Sequence, residues 1–231
     1  MLKLSSENKK IIKVILDGFF RIYCVKLFSN FKPKKYQAYN KYAIVSAVYN
    51  VEKYLDDFFK SIINQRLDFK RNIFIICVDD GSTDNSAQII KKYPKNIIYL
   101  YKENGGQVSA RNLGLKYLKE NDLNTPWVTF TDPDDFLDRD YFYEVDKNVK
   151  KHNDDITLVF CPLIYFYELT GVEAYHNQFN YVFRMGARLT PNCQMDNDLS
   201  GVVNANLFLL EKIGNLQFNE LMRYGNEDTF F

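Results

Sequence analysis

Asp132, Asp134 and Asp135 place three carboxylates within four positions, interrupted only by Pro133. Like charges this close are costly unless a cation is bound or some of them are protonated. A divalent ion resolves the conflict. Mg²⁺ and Mn²⁺ favour oxygen ligands and commonly take one or two carboxylates, leaving positions for substrate phosphates and water. Asp132 and Asp134 suit that pattern, and Pro133 stiffens the turn between them. Taken alone, the cluster is explained equally well as an acidic turn capping the helix that follows.

Several other chemistries are disfavoured. The four cysteines, Cys24, Cys77, Cys161 and Cys193, form no C-x-x-C pair, and the two histidines, His152 and His176, have no ligand-spaced partners. Both facts argue against zinc and against a catalytic thiol, and scattered cysteines in apolar runs suit buried thiols in a reducing compartment. Thirty basic residues against 29 acidic ones leave a net charge of +1, so no global field draws nucleic acid. No G-x-G-x-x-G, G-x-x-x-x-G-K-[ST] or G-x-S-x-G run occurs, which removes dinucleotide, P-loop and hydrolase readings.

The elements that must carry the acidic cluster follow from periodicity. From Tyr42 onward, short apolar runs alternate with amphipathic ones, the pattern of a βαβ sheet with parallel strands buried on both faces. Strands are expected at Tyr42 to Val48, Ile73 to Val78, Ile97 to Tyr101 and Trp127 to Thr131. Asn50 can cap a first helix in which Leu55, Phe58, Phe59, Ile62 and Ile63 share one face. A second helix should run from the Asp79 to Asp84 loop to just before Pro94, and a third from Val108 to about Lys119. A fourth should reach about Lys151, followed by a strand at Ile156 to Phe160 and then by an aromatic-rich stretch of weak periodicity. Strand ends line the ligand crevice of an open α/β sheet, so Tyr49, Asp80 and Asp132 should converge.

The amino terminus reads differently. Ile11 to Phe28 is apolar but interrupted by Lys13, Asp17, Arg21 and Lys26, which indicates an amphipathic helix. Packing on the main domain and peripheral contact with an anionic membrane surface both remain open for it. Phe31 to Asn40 reads as a linker, giving a helix and linker over 1–40 and a main domain over 41–231. No leader peptide and no uncharged apolar run of roughly 18 residues is found, so a cytoplasmic location, with or without peripheral attachment, is expected.

Four blocks in series carry a family resemblance: Val45 to Leu55 with Ser61 to Gln65; Val78 to Ser86; Asn104 to Gly114; and Thr131 to Leu137. In order and spacing they resemble family 2 glycosyltransferases of the bacterial surface-polysaccharide type, and Tyr224 to Phe231 adds a later similarity. The resemblance implies a GT-A fold, a Rossmann-like, mostly parallel sheet flanked by helices, here with an N-terminal helical extension. Residues 41–140 would form the nucleotide-sugar half and 141–231 the acceptor half.

The resemblance also implies site roles. Tyr49 would stack on the base, contributing about 1–3 kcal/mol as in comparable settings, and Asp80 would accept from a uracil imide, favouring UDP. Ala47, Glu52 and Arg111 would line the same pocket, with Arg111 pairing a phosphate or holding Asp80. Asp134 would ligate Mn²⁺ or Mg²⁺, with Asp132 reaching the ribose or a metal-bound water. Asp228 would be the base that deprotonates the acceptor hydroxyl in a displacement with inversion, Glu227 orienting that acceptor; a capping role for Asp228 competes. Tyr175 to Arg188 would line the acceptor side.

The expected activity is transfer from a UDP-sugar to a glycan or lipid-linked glycan, in capsule, lipopolysaccharide or related synthesis. Family members usually continue past the position of Phe231, so a fragment with an incomplete acceptor site is expected. The competing reading is a non-catalytic or truncated nucleotide-binding module of a larger polymerase. A D-x-D phosphatase is disfavoured because its pattern places Thr or Val where Phe136 stands.

Overall fold

The first strand is built almost wholly from β-branched and small apolar residues and buries both of its faces, which is what a central parallel strand requires. In the computed structural model, which describes residues 35–151, 156–159, 161, 164–167, 172–175 and 206–219, this is β1, Tyr42–Val48. It is flanked in parallel by β2, Ile73–Asp79, and by β4, Trp127–Phe130. Beyond β2 lies β3, Ile97–Tyr101, also parallel. Two short antiparallel strands complete the sheet: β5, Leu158–Val159, and β8, Leu207–Leu209. The order is β3-β2-β1-β4-β8-β5. A separate antiparallel pair is formed by β6, Ile164–Tyr167, and β7, Val172–Tyr175.

The described helices are α1, Glu52–Ile63; α2, Phe69–Asn72; α3, Ser86–Ile90; α4, Gln107–Glu120; α5, Tyr141–Lys151; and α6, Leu210–Ile213. Side chains alternate across β1, so Tyr42, Ile44 and Val48 join one core and Ala43 and Val45 the other. Helices α1 and α5 cover the first core with Leu55, Phe58, Phe59, Ile62, Phe142, Val145 and Val149. Helix α4 covers the second with Val108, Ala110, Leu115 and Leu118. Each large apolar side chain so buried contributes on the order of 1.5–3 kcal/mol before ordering costs. Gly114 lets α4 approach closely, since a Cβ there would land on Val45 Cγ1.

Three local expectations change. Asn50 does not cap α1; it adopts a left-handed φ of 52° while Val51 takes the N-cap position without a side-chain bond. The Asn50 amide is engaged elsewhere, its Oδ1 accepting from the Thr83 N–H at 2.8 Å and the Thr83 hydroxyl at 3.2 Å. Helix α3 stops at Ile90 rather than running to Pro94. Tyr93 is pinned to α1 by its hydroxyl on Asp56 Oδ1 at 2.6 Å and its ring 4.4 Å from that of Phe59, and a residue before proline avoids helical geometry. The expected linker also ends early: Tyr36, Tyr39 and Asn40 all donate to the buried Asp146, so these residues belong to the domain.

The amphipathic stretch Ile11 to Phe28 lies outside the described residues, as does nearly all of Tyr175 to Arg188. Among the described residues, no helix is long and apolar enough to cross a membrane. Both described cysteines, Cys77 and Cys161, are free thiols, and burial pushes their pKa values up, that of Cys161 to about 12, so neither is a ready nucleophile.

Candidate active site

Strands β1, β2 and β3 finish in register, Val48 beside Asp79 and Asp79 beside Tyr101. The next residue of each strand therefore stands in one row: Tyr49, Asp80 and Lys102. Backbone bonds extend the row past the strands, from the Asp80 N–H to the Val48 carbonyl at 2.8 Å and from the Lys102 N–H to the Asp79 carbonyl at 2.9 Å. Tyr49 is 51% exposed, and its ring has no partner among the described residues. Ala47 sits half-buried one position before Val48, on the face that α4 covers.

Asp80 is buried and held by three donors. Lys102 Nζ lies 2.6 Å from its Oδ1, the Gly105 N–H donates to the same oxygen at 3.0 Å, and the Gly106 N–H donates to Oδ2 at 2.8 Å. The carboxylate thus closes the amino end of α4, where backbone N–H groups and the helix dipole favour a negative charge. Gly106 makes this possible: its φ of 91° and ψ of 161° belong to a region that only glycine enters readily. The neighbouring Asp79 is spent on the loop, accepting from the Ser82 N–H at 2.8 Å and from the Tyr99 hydroxyl at 2.7 Å. Burial, and then that bond to Asp79, pushes the Tyr99 phenol upward.

Strand β4 delivers the acidic cluster. Asp132, Asp134 and Asp135 present carboxylate oxygens within 4.8 Å of one another, and the Asp135 N–H donates to the Asp132 carbonyl at 3.1 Å to close the turn. Asp132 Oδ1 accepts from Gln107 Nε2 at 2.6 Å and from Arg111 at 3.0 Å. Arg111 is 2% exposed and packs its guanidinium over the Phe218 ring, 5.6 Å from the centroid. Phe218 is itself fixed by a reciprocal pair of bonds with the Asn112 amide, at 2.8 and 3.0 Å. Arg111 therefore holds Asp132 rather than Asp80; Lys102 serves Asp80. Asp134 is exposed and has no protein partner among the described residues. Behind the cluster, Gln65 receives the Phe142 N–H and donates to the Asp138 carbonyl, and Ser61 receives the Leu137 N–H.

Glu52, expected in the nucleotide pocket, is the first residue of α1, and its Oε2 accepts from the Asn85 N–H at 2.8 Å and the Asn85 amide at 2.7 Å. Asp84 returns the bond, its Oδ2 accepting from the Glu52 N–H at 2.9 Å. The two loops are clasped by reciprocal capping. Burial raises the Asp84 carboxyl, but hydrogen bonds from Ser86, from the Glu52 N–H and from its own loop outweigh that and hold it below its ordinary value of 3.8. Glu227 and Asp228 lie outside the described residues. Sequence reasoning passed over Lys102 and Gln107. The signal for Gln107 was its spacing of four from Arg111, which puts both on one face of α4.

The donor set fits a divalent cation: Asp134 is unoccupied by protein, Asp132 retains Oδ2, and both are oxygen ligands at a crevice edge. The family model for Glycosyl transferase family 2 matches residues 43–208. The chain belongs to glycosyltransferase family 2. This family 2 domain is 32% identical over 190 residues to the minor teichoic acid biosynthesis protein GgaB of Bacillus subtilis (strain 168), a match covering 80% of this chain and 20% of GgaB. It is 38% identical over 122 residues to the glycosyltransferase GlyA of Streptococcus pneumoniae serotype 4, covering 52% of this chain and 16% of GlyA. Among solved structures, residues 1–349 of Staphylococcus aureus TarS in complex with UDP-GlcNAc superpose with a TM-score of 0.61 and 21% identity, over 82% of this chain and 52% of that one. The shared fold is GT-A. The chain spans about a fifth of the length of GgaB.

Proposed function

We propose that this domain binds a UDP-sugar with the help of Mn²⁺ or Mg²⁺ and transfers the sugar, with inversion, to a hydroxyl of a surface glycan or lipid-linked glycan. The observation that carries this reading is the arrangement of an unpartnered aromatic ring at Tyr49, a buried acceptor at Asp80 and an unpartnered carboxylate at Asp134 along the exits of three strands of one sheet. Similarity to GgaB, whose name places it in teichoic acid synthesis, and the fold shared with TarS in its UDP-GlcNAc complex, support a nucleotide-sugar donor and a teichoic-acid-like polymer as acceptor.

Each residue takes a defined part. Tyr49 stacks on the base while Asp80 receives its imide N–H. Arg111 and Gln107 fix the Asp132 carboxylate through Oδ1, so that Oδ2 faces the ribose or the cation without a rotamer search. Asp134, with Asp132, would hold the cation, which when bound offsets the charge developing on the diphosphate leaving group. Asp228 takes the proton from the acceptor hydroxyl and Glu227 orients that acceptor. The second reading is a nucleotide-binding module that serves a larger polymerase.

A panel of nucleotide-sugars, assayed for free-nucleotide release with and without Mn²⁺, tests the proposal. Asp134→Ala should abolish the metal-dependent turnover, at least about 10³-fold, and Asp228→Asn should lower turnover about 10²- to 10⁴-fold while leaving UDP binding intact. Full activity in either variant removes that residue's role, and UDP binding without turnover on any donor and acceptor favours the module.

A further inference from the structure

The row that ends β1, β2 and β3 contains a third residue with spare hydrogen-bonding capacity. A lysine ammonium has three donors. Two of those on Lys102 are spent, on Asp80 Oδ1 at 2.6 Å and on the Glu103 carbonyl at 2.6 Å, and the third has no partner among the described residues. Asp80 is in the complementary position. Each carboxylate oxygen offers two lone-pair directions; Oδ1 has filled both, whereas Oδ2 accepts only from the Gly106 N–H and keeps one. The pair thus presents one free acceptor beside one free donor. The Lys102 side chain is 22% exposed and the Asp80 side chain 3%, so the ammonium is the member that opens toward the crevice.

We infer that Lys102 reads the nucleotide base, donating its third N–H to the 4-carbonyl beside the imide while Asp80 accepts the imide N–H itself. The inference rests on the proposed UDP donor and extends it by naming the residue that selects uracil. Adjacent parallel strands stand about 4.8 Å apart, so a base stacked on Tyr49 reaches Asp80 on the next strand, and the Lys102 ammonium, 2.6 Å from Asp80 Oδ1, lies beside the same point. In that register uracil offers N–H to the carboxylate and C=O to the ammonium. Cytosine offers the reverse at both points: a ring-nitrogen lone pair against Asp80 and an amino group against Lys102. Both contacts then penalise cytosine, because a site built around fixed polar groups rejects the analogue that leaves them unpaired. Gly105 supports the arrangement, since a Cβ there would lie 2.7 Å from Lys102 Nζ and displace it.

Titration calorimetry with UDP and CDP on the whole chain, its Lys102→Met variant and its Lys102→Arg variant tests this. The unmodified chain should prefer UDP. Lys102→Met should weaken UDP about tenfold, the loss expected for one charge-assisted bond, and should shrink the UDP-to-CDP affinity ratio by a similar factor. Lys102→Arg, which keeps donors in place, should recover most of that ratio. An unchanged ratio in a folded Lys102→Met variant overturns the inference while leaving the UDP donor standing. Failure of the unmodified chain to bind UDP overturns the donor reading itself and this inference with it. Should Lys102→Met not fold, the unmodified chain is titrated with 2-thio-UDP and 4-thio-UDP, whose sulphur is a poor acceptor. Weakening with 4-thio-UDP supports the contact, and an affinity for 4-thio-UDP equal to that for UDP overturns it.

Discussion

Two buried carboxylates sit at opposite ends of the sheet and are treated differently. Asp146, on α5, grips the segment that enters β1: Tyr36 OH, the Tyr39 N–H, the Asn40 N–H and Tyr42 OH all donate to it, at 2.7 to 3.0 Å, and it is 0% exposed. Both of its oxygens are filled. At the exits of the strands, Asp80 keeps one lone pair on Oδ2 and Asp132 accepts its described bonds on Oδ1 alone. A saturated buried carboxylate is a structural rivet, because nothing remains with which to bind a ligand. A buried carboxylate held firmly but incompletely is preorganised for one. The contrast separates the supporting end of the domain from the end proposed to bind the nucleotide more sharply than charge or exposure does.

The strongest way to break this contrast is Asp146→Ala. It would leave two phenols and two backbone N–H groups without their acceptor, at a cost of about 3 kcal/mol or more. Chemical denaturation should show that loss, whereas UDP affinity of the folded fraction, measured at low temperature, should stay within about twofold, a change of about 0.4 kcal/mol. A large affinity loss in a folded Asp146→Ala protein would mean the two ends are coupled and that saturation does not mark a structural role.

The same contrast explains what could be read in advance. The four parallel strands and the helices at α1, α4 and α5 were legible because β-branched runs and apolar spacing of three and four residues report burial directly. The convergence of Tyr49, Asp80 and Asp132 was expected from their places at the carboxyl ends of strands in an open α/β sheet. What sequence could not give was how each side chain is spent. Asn50 looked like a cap, but it faces Thr83 across 33 residues, a distance that no local rule spans. Glu52 was expected in the nucleotide pocket, and its Oε2 is also spent on Asn85, 33 residues away. Arg111 was open between a phosphate and Asp80, whereas it packs over Phe218, 107 positions later, and donates to Asp132. Hydrogen-bond partners distant in sequence leave no periodic trace.

Gly106→Ala sharpens the comparison at the end proposed to bind the nucleotide. A Cβ there meets nothing within 4 Å, so any loss comes from the backbone, whose φ of +91° L side chains rarely adopt. The strain is on the order of 1–3 kcal/mol. The N–H that this residue donates to Asp80 Oδ2 should shift with the backbone, so UDP affinity should fall together with the melting temperature. Loss of stability with unchanged UDP affinity would show that the acceptor on Asp80 does not depend on the amino end of α4.

The smallest effect belongs to the clasp between the two loops, and its sign is fixed by Asp84. Hydrogen bonds to the ionised form hold this carboxyl below its ordinary value of 3.8 despite the opposing effect of burial. A carboxyl whose folded pKa is depressed stabilises the protein fully above its unfolded pKa, and that contribution is lost as pH falls through the lower folded value. The group is partly exposed, so the contribution is screened and amounts to less than about 1 kcal/mol. Asp84→Asn should therefore melt below the unmodified chain at about pH 6, and the gap should close as both are taken to about pH 3. A gap that persists or widens in acid would show that Asp84 acts through its shape rather than its charge. The clasp would then be a packing feature, outside the contrast between spent and unspent carboxylates.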